Sequence, residues 1–302
     1  MNTCDIIIPT YNGQEKLSYT LEALLAQDIP SGWTVRVIVS DDGSHEPIAD
    51  IDKTYAWVHP WLSLSIIRSS HTGRSHARNI AIDYATGDIL LFLADDILLR
   101  PGALREHLIF HETNNTNNMA ALGCVAWDPR IHPTPFMDWM MHGGQQNDYD
   151  AILGAHTANA GHYFYGSFVS MKRMFLEDNR FSEQFSAYGW EDLELGECLH
   201  TKGLVLHVLP NAISLHRHRY TASAILERQR IVGSAKYRVN TNATRRVIHG
   251  LYVAIGARAV SLYFIKKWGD KVNFPRFFAL VTAGEFWYGV HHANSLLKSE
   301  LQ

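Results

Sequence analysis

Apolar runs alternate with amphipathic stretches from the first residues onward. Residues 5–8 (Asp-Ile-Ile-Ile) form a short run that Pro9 stops, and Tyr11-Asn12-Gly13 signals a turn. Glu15 to Gln27 carries Leu17, Leu21, Leu24 and Leu25, the spacing of one helical face. Val35-Arg36-Val37-Ile38-Val39 is β-branched and predicts a strand. A helix is expected near residues 47–57 and a strand near Leu64-Ser65-Ile66-Ile67. Ser75 to Ala85 places Ala77, Ile80, Ala81 and Tyr84 at helical spacing and is ended by Gly87. Ile89 to Leu93 is apolar throughout, as in a strand covered on both faces. The order β-α-β-α-β-α-β predicts a parallel sheet with right-handed crossovers.

Further along, a helix is expected from Pro101 to about His111, then a polar loop at Asn114 to Asn118 and a strand at Ala120 to Ala126. Residues 127–160 read as irregular, rich in Pro, Gly, Met, Trp and His, and long loops of this kind are usually functional. Tyr163 to Met171 reads as a strand, 172–178 as the start of a helix, and Phe181 to Tyr188 as a loop. Glu191 to Thr201 reads as a helix ended by Gly203. Two strands follow, Val205 to Leu209 and Ala212 to His216.

Beyond Tyr220 the pattern changes to basic helical spacing, then to apolar runs at Leu251 to Ile265 and Phe274 to Tyr288. A fifteen-residue apolar run, 251–265, makes a helix of roughly 22 Å, short of the roughly 30 Å hydrocarbon core, so no spanning helix is expected. The basic and aromatic flanks (Lys266-Lys267-Trp268) leave two readings. One is a helix lying in a membrane interface; the other is a helical subdomain or dimer interface.

Composition narrows the classes. The chain has 302 residues, 46% of them hydrophobic, enough for one large core or two fused lobes. A net charge of −3 offers no basic field for nucleic acid. The three cysteines form no CxxC pair, which favours free thiols in a reducing, cytoplasmic setting. The N-terminus lacks a basic n-region and reads as a first strand, not a signal peptide.

Candidate chemistry is concentrated in paired acids. Asp41-Asp42, Asp95-Asp96 and Glu191-Asp192 stand at strand ends or open a helix. Adjacent acids resist burial unless something cationic or hydrogen-bonding faces them, and open α/β sheets bind ligands at the carboxyl ends of their strands. Three such pairs suggest a nucleotide site, a metal site and a proton acceptor. Each also has a plain reading as an Asp-Gly turn, a helix cap or a carboxylate meeting a helix dipole.

Taken in order, these segments resemble the inverting family 2 glycosyltransferases of GT-A fold, over about residues 4–220. The resemblance rests on Ile6 to Gly13, on Ser40-Asp41-Asp42-Gly43-Ser44, and on Gly73 with Ala77-Arg78-Asn79. It continues through Gly87-Asp88 and Phe92-Leu93-Ala94-Asp95-Asp96 to Phe185–Leu195. It implies an α/β fold with a single Rossmann-like mixed sheet flanked by helices. A catalytic domain would span 1–220, with a donor half at 1–97 and an acceptor half at 98–220, and a C-terminal helical extension would span 221–302.

The implied activity is sugar transfer from a nucleotide-sugar donor, UDP-linked, to an acceptor hydroxyl on a glycan or lipid-linked carrier. It uses a divalent cation, Mn²⁺ or Mg²⁺. Asp192 is the implied general base, with Glu191 beside it. Pro9, Thr10, Tyr11, Asn12, Asp41, Asp42, Arg78, Asp95 and Trp190 are the expected donor contacts, and Asp96 and His216 the expected metal ligands. Asp95 stays open between metal and ribose, because the family pattern is Asp-x-Asp and Ala94 occupies its first position. Ala94 keeps alive a rival of another class, a catalytically silent nucleotide- or glycan-binding scaffold. A nucleotidyltransferase is disfavoured for want of a Gly-rich basic loop near the first strand, and a dehydrogenase for want of GxGxxG. Peripheral membrane contact at the cytoplasmic face and a homo-oligomer complete the expected partners.

Overall fold

A computed structural model describes residues 2–46, 48, 62–142, 148–184, 190–239, 261–271 and 275–300. The helix expected at 47–57 lies outside the described residues. Among the described residues, the strands are β1 (Asn2–Thr10), β2 (Trp33–Asp41), β3 (Leu62–Arg68), β4 (Ile89–Leu93), β5 (Ile97–Leu99), β6 (Met119–Trp127), β7 (Thr157–Ala158), β8 (Phe168–Lys172) and β9 (Val205–His216). The helices are α1 (Gln14–Leu25), α2 (Arg74–Tyr84), α3 (Ala103–Thr113), α4 (Pro135–Met141), α5 (Ala160–Tyr163), α6 (Glu191–Thr201), α7 (Ala222–Val239), α8 (261–268) and α9 (Pro275–Glu300).

The chain divides into two compact units. The first comprises Met1–Asp128, Tyr149–Ser186 and Glu191–His218; the second comprises Pro129–Asp148, Ala187–Trp190 and Arg219–Gln302. All the strands lie in the first, in one mixed sheet of order β3-β2-β1-β4-β8-β6-β9-β5, with β7 alongside β9. The half built from β1 to β4 is parallel, as the alternating pattern predicts. Beyond it, β8 runs antiparallel to both β4 and β6.

Every residue of β4 is buried, which matches its unbroken apolar sequence. The register aligns Thr10 with Asp41 and Ile7 with Phe92, so β1, β2 and β4 deliver their carboxyl ends to one edge of the sheet. Buried Asp5 fixes the opposite edge. It accepts from Arg36 Nε (3.0 Å) and from the backbone N–H groups of Thr86 and Gly87 (both 2.8 Å). Two acceptor oxygens thereby satisfy a guanidinium and a turn, tying β1 to the approach of β4.

Several elements differ from the sequence reading. The strands expected at 205–209 and 212–216 are one, β9. Its register against β6 shifts between Gly123, opposite Leu209, and Cys124, opposite Ile213. Pro210, with no N–H to donate, sits in the displaced stretch, so the break is a bulge and not an end. Residues 127–160 are not uniformly irregular. Thr134 caps α4 by accepting from Met137 N, and Pro135 occupies its first turn. Part of the strand expected at 163–171 is α5 and a connection, and the helix expected at 172–178 is a 3₁₀ turn, Arg173–Leu176.

The second unit is helical. Its core joins Phe136 and Met140 of α4 to Ala222, Ile225 and Leu226 of α7, Ile265 of α8, and Phe278 and Val281 of α9. Gly233 on α7 and Gly289 on α9 let the two backbones touch, since a Cβ at either would collide with the carbonyl of Phe286 or Arg230. Ser234 Oγ donates to Gly289 O across the same crossing (3.0 Å). No described helix is long and apolar enough to cross a membrane.

Candidate functional site

The carboxyl edge of the sheet gathers most of the expected residues, each held by local chemistry. After β2 the chain turns at Gly43, whose φ of +74° and close approach to His71 N exclude a side chain. The turn leaves Asp41 buried. Its Oδ1 accepts from Ser44 N (2.9 Å) and Ser44 Oγ (2.6 Å), and Arg68 Nη1 lies 3.4 Å from its Oδ2. Asp42 accepts from Thr72 N (2.9 Å) and Gly73 N (3.0 Å), and its Oδ2 lies 2.8 Å from His71 Nδ1. Asp41 therefore fixes the turn after β2, and Asp42 anchors the loop that leads into α2.

Residues after β1 close around that loop. Asn12, with φ +49°, donates its N–H to Ser44 Oγ (2.8 Å) and accepts at Oδ1 from His45 N (2.9 Å). Tyr11 is partly exposed and stacks on His71, centroids 4.0 Å apart at 14°. Pro9 pairs with Ser40 in the β1–β2 register. Thr10 O accepts from Asp42 N, and its hydroxyl donates to Asp95 Oδ2 at 2.7 Å.

The second pair follows β4. Burial, then the neighbouring Asp96, push the Asp95 carboxyl up to about 6, against the Thr10 hydroxyl and the charges of Lys16 and Arg74. A Cβ on Gly13 would strike this carboxylate and Thr10 Oγ1, so the glycine clears room for the pair. Asp96 has the opposite bias. Burial works to raise it, but His216 and His218, each with a ring nitrogen 3.4 Å from Oδ2, hold it well below the usual carboxylate range. Lys16 Nζ is 4.0 Å from the same oxygen and 3.0 Å from His218 Nδ1. His216 is held flat against Trp127, 5.0 Å between centroids.

One carboxylate with two imidazoles is a donor set whose chemistry suits a borderline-soft divalent ion. Among the described residues, however, no group of three or more His, Cys, Asp or Glu side chains is preformed around one point.

The third pair opens α6. Asp192 Oδ1 accepts from Arg78 Nη1 (2.6 Å), and its Oδ2 accepts from Gly166 N (3.0 Å). Arg78 is 2% exposed, donates to Gly166 O (3.2 Å) and lies over the Phe181 ring. The side chain expected at the donor thus grips the expected base. Glu191 is buried. Burial and then Asp192 raise its carboxyl above the usual range, opposed by Arg78 and Arg74.

Arg74 links the two acidic regions, since its charge acts on Asp95 and its Nη1 is 3.6 Å from Glu191 Oε1. Trp190 belongs to the second unit, where its indole donates to Val232 O (2.9 Å) beside Phe286.

Lys16, His71, Arg74 and Gly166 joined the site unannounced. Lys16 and Arg74 had a weak signal, as cations in the first turns of helices that follow strands of the parallel half. His71 and Gly166 had none, because only the tertiary fold brings loops separated by dozens of residues to these acids.

Comparison with known proteins fits this architecture. Residues 5–179 match the profile described as Glycosyl transferase family 2. Validoxylamine A glucosyltransferase of Streptomyces hygroscopicus subsp. limoneus is 27% identical over 226 residues, 67% of this chain and 49% of that protein. Succinoglycan biosynthesis protein ExoM of Rhizobium meliloti is 29% identical over 211 residues, 69% of this chain and 64% of that protein. The matched stretch thus spans about half to two-thirds of these relatives.

Among solved structures, a mannosyltransferase from Pyrobaculum calidifontis in complex with GDP-Man and Mn²⁺ superposes with a TM-score of 0.56 at 18% identity, covering 98% of this chain and 74% of that one. Staphylococcus aureus TarS 1-349 in complex with UDP-GlcNAc does so at 0.53 and 17%, covering 98% and 84%. These likenesses establish the GT-A fold.

Proposed function

Since the chain belongs to glycosyl transferase family 2, we propose that it moves a sugar with inversion from a nucleotide-sugar donor, UDP-linked, to an acceptor hydroxyl in glycan or glycoconjugate synthesis. The observation that carries this reading is Asp192. Its two oxygens are oriented by Arg78 and Gly166 N–H at the start of α6.

In the reaction, Asp192 accepts the proton of the acceptor hydroxyl as that oxygen attacks the anomeric carbon. The bond from that carbon to the phosphate oxygen breaks, and the nucleoside diphosphate leaves. Arg78 keeps the receiving oxygen in place, and Arg74 faces the departing negative charge. Asp96 and His216, with His218 beside them, would hold a divalent cation, which when bound neutralises the diphosphate. Phosphate oxygens of the donor would complete the coordination of such a cation. Tyr11, on its His71 platform, and Asp42 would meet the base and ribose. Pro9, Thr10, Asn12 and Asp41 would shape that pocket.

The free cysteines Cys4, Cys124 and Cys198 support a cytoplasmic setting. Calorimetric titration of UDP, GDP and dTDP, with and without Mn²⁺, tests the donor assignment. Tight UDP binding that needs Mn²⁺ and disappears in Asp96→Ala is the expected result. Binding of none of the three would leave the silent scaffold, which Ala94 favours, as the better reading.

A further inference from the structure

The second unit carries an exposed aromatic and basic patch on α8. Helix α8 turns Ser261, Ile265 and Gly269 inward, and a Cβ on Gly269 would meet Ile265 O and Ala222. Its other face presents Tyr263, Phe264 and Trp268 at 59%, 48% and 44% exposure. Three large aromatics open to water within six residues is an unusual concentration for a surface, because each forfeits the benefit of burial.

Lysines are interleaved with them. Lys266, Lys267 and Lys271 are all exposed, and Lys267 Nζ donates to Tyr263 Oη (3.2 Å) while lying 5.6 Å from the Trp268 ring centroid. The lysine stem therefore runs along aromatic surface with its charge at the tip. Asp270, the one acid of 261–271, is engaged elsewhere, accepting from Ala222 N at the start of α7 (3.1 Å). Aromatic side chains flanked by exposed lysines match a surface that is anionic outside and apolar just beneath.

We infer that this face of α8 docks flat on a bilayer rich in anionic lipid. A second copy of the chain fits less well, since a two-fold contact centred here would set the lysines against their own symmetry mates. The geometry is that of a helix lying in the interface, and no described helix is built to cross the membrane. The inference stands on the second unit alone and does not depend on the transferase reading.

The test is co-sedimentation of the full chain with phosphatidylcholine vesicles and with vesicles enriched in phosphatidylglycerol. Binding to the anionic vesicles is expected at low salt. It should be largely lost near 1 M salt, where screening acts over about 3 Å. Lys266→Gln/Lys267→Gln should weaken it by about tenfold or more. Phe264→Ser/Trp268→Ser should weaken it comparably. All four residues are exposed, and an unchanged circular dichroism melt confirms that each variant is folded. Binding of the unaltered chain that high salt leaves unchanged would overturn the inference even if a variant misfolds. Equal partitioning to neutral and anionic vesicles at low salt would overturn the inference. So would retained binding in both double variants. So would a dimer, seen by sedimentation without vesicles, that Phe264→Ser/Trp268→Ser dissociates.

Discussion

At the scale of single residues, Arg78 illustrates how burial assigns a role. A guanidinium 2% exposed must have its charge met nearby, and the groups that meet it are Asp192 and Gly166 O. Arg78→Lys keeps the charge but loses the fork that reaches both partners. We expect it to lower kcat by about a hundredfold, the usual result of misplacing a reacting group by an ångström, while donor affinity changes little. Steady-state kinetics beside donor calorimetry would show this. An equal loss in donor affinity would mean that Arg78 binds the donor instead.

A second residue-scale feature is buried Ser170, whose hydroxyl lies 2.7 Å from His107 Nδ1 and 2.8 Å from His111 Nε2. Burial pushes both imidazoles down to about 3. A depressed imidazole contributes stability that is fully present above its unfolded value near 6.5 and is lost as pH falls toward 3. Denaturant midpoints should therefore drop from pH 6.5 to 5, before most carboxylates titrate, with a slope of up to about 1.4 kcal/mol per pH unit for each ring. A flat profile over that window would contradict it.

At the scale of elements, close backbone approaches set the tolerances. Gly43 joins β2 to the loop that Asp42 anchors, and its positive φ and contact with His71 N leave no space for a methyl. Gly43→Ala should destabilise the fold by about 1–3 kcal/mol and weaken donor binding more than Gly203→Ala, where the φ is similar but nothing lies near the missing Cβ. Thermal melts and calorimetry of the two variants make the comparison.

The parallel half of the sheet was readable in the sequence because apolar or β-branched runs at β1, β2 and β4 alternate with helical spacing, and acids follow β2 and β4. The merged strand β9 was not, since Pro210 imitates an end and only pairing with β6 shows a bulge. Helix α4 was hidden in a Pro- and Trp-rich stretch. Its helicity depends on the Thr134 cap and on a core completed by α7 and α9, far along the chain.

At the scale of the whole molecule, the second unit is assembled from separate segments. Phe136 and Met140 share one core with Ile225, Leu226 and Phe278. Ending the chain at His218 would strip that core of its later members and leave buried aromatics in water. The truncated protein should aggregate or bind a hydrophobic dye, while the full chain should do neither. The candidate site follows the same logic. Its acids could be read along the sequence, because they stand as pairs after strands or at the start of a helix, but most of the cations and backbone donors facing them could not, because folding brings them from distant parts of the chain.

The most direct test of the transferase reading is turnover of UDP-sugar by Asp192→Asn, with UDP binding measured in parallel. The amide keeps the size of the side chain but cannot take the acceptor proton. Turnover should fall by a thousandfold or so, within the usual contribution of a general base, with UDP affinity unchanged. Turnover equal to that of the unaltered chain would remove Asp192 from the chemistry and contradict the proposed mechanism.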